Sequence, residues 1–172
     1  RALAGWRRTR RVRRCPPLPD FVLWALVGVL ISEKSFTTAI ACLIVFNCLL
    51  RPTEITKLTW HHIHINHLSG SALITLPNTK IGQRKQMIEN VVVRDPILFK
   101  ILNWGKNRFP PSSPLITSKN FNKTLKSILK ILGVHHIPFQ PRSFRRGGAT
   151  FLYSQNMDLE NMDIGSCRLK VF

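Results

Sequence analysis

The apolar residues of this chain fall into a few dense runs separated by short polar breaks. Phe21 to Ile31 is apolar without interruption, and a second run, Ala39 to Leu50, is broken only by Asn47. The Ser32-Glu33-Lys34-Ser35 break keeps the two apart. Each is shorter than the roughly 20 residues a membrane span requires, so the pattern predicts two buried core helices, about 20–31 and 36–49. A short third helix begins near Thr53. After Trp60 the period changes. His61-His62-Ile63-His64-Ile65 and Ala72-Leu73-Ile74-Thr75-Leu76 flank His67-Leu68-Ser69-Gly70, a hairpin signal. Met87 to Arg94, with Val91-Val92-Val93, supplies a third strand after the basic turn Asn78 to Lys85. Helical periodicity then returns. Asp95 can cap a helix to about Lys106, Pro110 to Pro114 reads as a loop, and Asn120 to Leu132 places Phe121, Leu125, Ile128, Leu129 and Leu132 on one face. A last helix runs from about Ser143 to Gln155. The expected fold class is α+β and mainly helical, a helical body carrying a small three-stranded antiparallel sheet. Trp24, Phe46, Trp60, Phe99, Trp104, Phe121 and Phe151 lie in or beside the apolar stretches and are expected in the core.

Charge adds a partner class. The 172 residues hold 26 Lys and Arg against 8 Asp and Glu, a formal net charge of +18. A field of that sign favours polyanions, chiefly nucleic acid, because neutralised phosphates release counterions. Arg1 to Pro19 is Arg-rich, Pro-punctuated and without apolar periodicity, so it reads as a basic arm or linker ahead of a domain from residue 20 to 172 that is expected to be incomplete at its C-terminus. The start at Arg1, without Met, suggests a fragment. Cys15, Cys42, Cys48 and Cys167 form no CxxC pair. Cys42 and Cys48 sit in an apolar run and read as small core residues, consistent with a reducing, intracellular compartment. Neither a signal peptide nor a membrane partner is expected.

Three basic settings carry candidate chemistry. Arg51 follows the second apolar run directly and opens Arg51-Pro52-Thr53-Glu54; an Arg there is commonly a solvated helix-end cation or the partner of a local Glu. Arg142, Arg145 and Arg146 fall within five residues and precede Gly147-Gly148, where the absence of side chains lets backbone approach another backbone or a ligand. In isolation this run is an ordinary basic surface helix. Lys80 lies in the turn between two strands, where lysines are commonly solvated. Arg makes bidentate phosphate contacts and Lys can serve as a proton donor, so the three settings together suit metal-free chemistry at a phosphodiester.

The order of these settings resembles the catalytic domain of tyrosine recombinases, the phage-integrase-like DNA strand-exchange enzymes. Leu49 to Ile65 (LLRPTEITKLTWHHIHI) is similar to the family's first-arginine box, Ile74 to Lys85 (ITLPNTKIGQRK) to its Thr-Lys-x-Gly hairpin, and Pro141 to Leu152 (PRSFRRGGATFL) to its second-arginine box. The Arg-Arg-Gly-Gly-Ala-Thr form resembles the eukaryotic, transposon-borne branch. The resemblance implies that Arg51 and Arg145 clamp the scissile phosphate and that Lys80 is the general acid for the departing 5′ oxygen, with Lys85 of the same turn a competitor that fits the motif less well. It implies further that Glu54 braces the first box, and that Arg146, Lys85 and Arg84 contact DNA. The partner it implies is duplex DNA, bound by an oligomer of this chain, with no metal, cofactor or small-molecule substrate; the compartment is the nucleus if the source is eukaryotic and the cytoplasm otherwise.

The chain departs from the family pattern twice. The family's His three residues before the second arginine is Arg142 here, which adds positive field but cannot accept a proton. Leu159 to Gly165 resembles the helix leading to a Gly-His or Gly-Trp pair, which places Ser166 at the His/Trp position and puts the nucleophilic tyrosine beyond Phe172. The single tyrosine, Tyr153, stands eight residues after Arg145, the wrong spacing for the nucleophile. The expectation is therefore a DNA-binding, integrase-like domain for strand cleavage and rejoining that lacks its own nucleophile as written; the alternative is a non-catalytic basic module that binds RNA or the ribosome. His61, His62, His64 and His67 have no Cys or carboxylate at metal-clip spacing and are expected to be exposed strand residues.

Overall fold

A computed structural model describes residues 15–77 and 89–155. They form six α-helices: α1 (Asp20–Ser32), α2 (Phe36–Asn47), α3 (Pro52–Ile55), α4 (Pro96–Arg108), α5 (Ser118–Ile131) and α6 (Pro141–Gln155). A 3-10 turn (Trp60–His62) leads into β1 (Ile63–Asn66), followed by β2 (Ser71–Leu76) and β3 (Glu89–Val93). The elements and their order are those the hydrophobic pattern predicts.

Helix α2 is the hub. Its residues Ala39 to Phe46 are all buried, as expected of a helix that is apolar on every side, and α1, α3, α4 and α6 pack around it. Cys42 and Cys48 are inside, where burial pushes the Cys42 thiol far above its usual range and leaves it an inert small hydrophobe. Helix α1 buries Val22, Leu23, Leu26, Val27 and Leu30 but not its other side, and here the expectation of fully buried helices needs correction. Phe21, Trp24 and Ile31 are 69, 51 and 50% exposed. Trp24 and Trp104, both expected in the core, instead line an open apolar groove of about 380 Å³ between α1, α2 and α4. The periodicity of an all-apolar helix does not reveal which side lacks a neighbour. No helix among the described residues is long and apolar enough to cross a membrane.

The sheet has the order β1-β2-β3, antiparallel throughout. Ile63 pairs with Ile74, and Ile74 with Val91; Ala72 pairs with Val93. These residues share one face and are buried against α4, whose Leu98 and Leu102 complete that part of the core. Asp95 starts α4 as expected, its Oδ1 accepting from the Leu98 N–H at 2.6 Å. Lys106, from the last turn of α4, donates to the carbonyl oxygens of Trp60 and Ile63 and so ties the helix to the entry of β1. Gly105 leaves room for the Trp60 ring, which would lie 2.2 Å from a Cβ at that position.

The segment Cys15–Pro19, grouped by composition with the arm, is packed into the body. Leu18 is fully buried, and its N–H donates to the Ser143 carbonyl at 3.0 Å. One apolar residue amid prolines gives no periodicity from which this could be read. His61 and His62 lie in the 3-10 turn rather than on the strand, with His61 exposed and His62 half-buried, while His64 is exposed on β1 and His67 exposed in the hairpin turn.

Candidate functional site

The first candidate cation is placed by a helix ending and a helix beginning. Helix α2 closes with the Cys48 N–H on Ile44 O and the Leu50 N–H on Val45 O, and Leu49 between them adopts φ 51°. A residue in the left-handed region commonly ends a helix this way, but the position ordinarily falls to Gly, and a branched side chain there carries a steric cost of about 1–2 kcal/mol. The turn sends the chain directly to Arg51, the residue capping α3. Glu54 then closes on Arg51 twice: Oε2 accepts from the Arg51 backbone N–H at 2.6 Å, and Oε1 lies 3.6 Å from Nη1. Glu54 is buried, whereas the Arg51 side chain is 39% exposed. The carboxylate thus fixes where Arg51 starts and leaves the far side of its guanidinium open to solvent.

The second set stands on α6. At 100° per residue, Arg142, Arg145 and Arg146 fall within an arc of about 100°, opposite the buried side formed by Ser143, Phe144, Gly147 and Gly148. The two glycines perform the role their sequence position suggested, and the partner in each case is backbone. A Cβ on Gly147 would stand 1.9 Å from Leu18 O, and one on Gly148 would stand 2.0 Å from Phe46 O and 2.9 Å from Leu49 Cδ2. Only a helix without Cβ atoms at these two points can lie so close to α2 and to the Cys15–Pro19 segment. The contact joins the two arginine settings: Gly148 is three residues past Arg145, and the Leu49 side chain that it meets is two residues before Arg51.

The arginines of α6 differ in their surroundings. Arg142 is exposed in the first turn, and Arg145 is half-buried. Arg146 Nη1 donates to the carbonyl of Cys15, so part of its donor capacity holds the segment leading into α1. Because α6 begins at Pro141, the positive end of its dipole adds to the field around Arg142 and Arg145. Each of Arg51, Arg142 and Arg145 offers a planar guanidinium fork, the group that makes paired hydrogen bonds to phosphate oxygens.

No protein-family model matches this chain, and no curated protein sequence matches it. Among solved structures it is similar to the XerH site-specific recombinase bound to difH substrate in a pre-cleavage complex, with a TM-score of 0.62 and 15% identity over 86% of this chain and 45% of that one. It is similar as well to XerH bound to a palindromic difH substrate in a post-cleavage complex, with a TM-score of 0.58 and 14% identity over 84% and 44%. The fold is tyrosine-recombinase-like. The chain spans less than half the length of these recombinase chains.

Within this recombinase-like fold, Lys80, Arg84 and Lys85 belong to the connection between β2 and β3 and lie outside the described residues, as does Ser166. Tyr153 is on α6, 53% exposed. It is eight residues beyond Arg145, about 12 Å further along the helix axis. In the His61-to-His67 run, His62 serves local structure. Thr59 N–H donates to His62 Nδ1 at 3.1 Å, closing the 3-10 turn, and burial followed by the neighbouring His61 holds the His62 imidazole below its usual range. Among the described residues no three His, Cys, Asp or Glu side chains are grouped to hold a metal. Leu49 is the contributor that sequence reasoning missed. Its strained φ has no signature in a Leu-Leu-Arg string, because Leu is an unexpected residue in that conformation.

Proposed function

We propose that this domain binds duplex DNA and positions one phosphodiester for strand cleavage and rejoining of the recombinase type. The observation that carries the reading is the backbone contact between Gly148 and Phe46, which brings the Arg51 turn and the Arg145 helix together in a fold similar to DNA-bound recombinases. In this reading Arg51 and Arg145 share the non-bridging oxygens of the phosphate, Arg142 supplies field where a proton acceptor is common in the family, and Lys80 delivers the proton to the departing 5′ oxygen. Arg84 and Lys85 add contacts to the neighbouring backbone, and Ser166 takes the position of the family's His or Trp. The eukaryotic, transposon-type affiliation rests on Arg145-Arg146-Gly147-Gly148-Ala149-Thr150.

The covalent step needs a tyrosine hydroxyl in line with the phosphate. Tyr153, a full 12 Å or so along the axis from Arg145, has the wrong spacing for it, so the described residues supply binding and positioning of the phosphate. Fluorescence anisotropy on duplex DNA and on A-form RNA of equal length tests the reading, alongside a nicked suicide duplex that traps any covalent adduct. We expect duplex binding, weakened about 10-fold or more by Arg51→Ala or Arg145→Ala, and no adduct trapped through Tyr153. Preference for RNA would favour a non-catalytic RNA-binding module, and duplex affinity indifferent to both arginines would overturn the phosphate site.

A further inference from the structure

Helix α5 carries a second cationic feature, separate from the arginines. Lys119, Lys123, Lys126 and Lys130 are spaced four, three and four residues apart, so on an α-helix they fall within an arc of about 60°. All four are exposed, and the core residues Phe121, Leu125, Ile128 and Leu129 occupy the other side. The stripe runs about 16 Å along the axis. Helix α5 has no Asp or Glu, and none of the four lysines is in an ion pair among the described residues.

As a merely solvated face this arrangement is unfavourable. Like charges at i,i+4 destabilise a helix, whereas an exposed helix face is usually laced with alternating signs. Lys119 in the first turn also opposes the helix dipole. A polyanion laid along the stripe would remove both penalties. Asn122 borders the lysines and donates its amide to the Ser118 carbonyl at 3.1 Å, so the stripe itself consists of ammonium groups on flexible stems, which meet phosphates as point charges.

We infer that α5 is a backbone rail: it binds the phosphates of a nucleic-acid duplex along about 16 Å, without reading its bases. The inference rests on the duplex-binding reading above and extends it to a surface that the phosphate-clamping residues do not include. At 3.4 Å of axis per phosphate on one strand, the rail faces about five phosphates, enough to occupy four flexible lysines.

The experiment compares wild-type protein, the stripe variant Lys119→Gln/Lys123→Gln/Lys126→Gln/Lys130→Gln, and a control of equal charge change on other exposed sites, Lys34→Gln/Arg94→Gln/Lys100→Gln/Arg108→Gln. Binding to two duplexes of unrelated sequence is measured as salt is raised. The stripe variant should lower the slope of log K against log salt by about three to four, since each phosphate contact contributes about 0.9. Its affinity should fall by the same factor on both sequences, and it should melt no lower than wild type. The control should change the slope by less than about one. An unchanged slope in the stripe variant, an equal fall in the control, or a loss confined to one sequence would each overturn the rail while leaving the arginine site intact. Wild-type protein that binds neither duplex would instead overturn the reading on which the rail depends.

Discussion

Gly148 lies against the carbonyl oxygen of Phe46 so closely that a Cβ would come within 2.0 Å of it. The obstacle is backbone on the buried stretch of α2, which cannot turn aside as a flexible side chain would. Gly148→Ala must therefore push α6 away from α2 or bend one of them. We expect a loss of about 3 kcal/mol or more, read as a melting temperature lower by roughly 6–12 °C for a domain of this size. A shift under about 2 °C would mean that the two helices do not pack as described.

Arg51 should depend on Glu54 more than on its own charge. Glu54→Ala leaves the Arg51 N–H without its 2.6 Å acceptor and frees the guanidinium, so both stability and DNA affinity should fall, stability by about 1–3 kcal/mol. Arg51→Lys keeps the charge but not the planar fork, and should weaken DNA binding with little change in melting. Equal melting losses in the two variants would show that Arg51 serves the fold alone.

How much of this was legible in the sequence depends on what each residue had to report. The sheet was legible because Ile63, Ile74 and Val91 sit at alternate positions of β-rich runs, and the start of α4 because Asp95 precedes Pro96, a pairing of helix cap and first-turn proline. The glycine pair announced a close approach without naming the partner. The exposed flank of α1 was hidden for the opposite reason: DFVLWALVGVLIS is apolar on every side, so periodicity had nothing to point with. The burial of Leu18 and the bond from Arg146 to Cys15 join residues far apart in the chain, which local pattern does not reach. In the candidate site, motif order singled out Arg51, Glu54, Arg142 and Arg145 in the sequence, whereas the Leu49 conformation that leads into Arg51 had no sequence signal.

His62 offers a test by acidity. Its imidazole is held below the usual histidine value of about 6.5 by burial and by His61, so in the window below 6.5 the unfolded chain binds the proton more readily than the folded one. The stability associated with neutral His62 is then present above about pH 6.5 and is lost as pH falls toward the lowered folded value. Melting temperature should hold steady above neutrality and decline through mildly acidic pH. His62→Asn, which can keep an acceptor for Thr59 N–H, should flatten that decline. A profile identical to wild type would remove His62 from the account.

Tyr153→Phe should leave duplex affinity and melting unchanged, because the side chain is half exposed and lies well along α6 from Arg145. A covalent DNA adduct formed by wild-type protein and lost in this variant would contradict the placement argued for it.

The bond from Arg146 to Cys15 bridges 131 residues. A chain synthesised from its amino end therefore completes α1 and α2 long before the helix that closes over them exists. Until α6 emerges, the apolar flank of α2 and the Leu18 segment have nothing to shelter them, and contacts this distant form late and slowly in folding. The same two glycines let α6 seat so closely that the core of the helical body is complete only once the last of the described helices is in place.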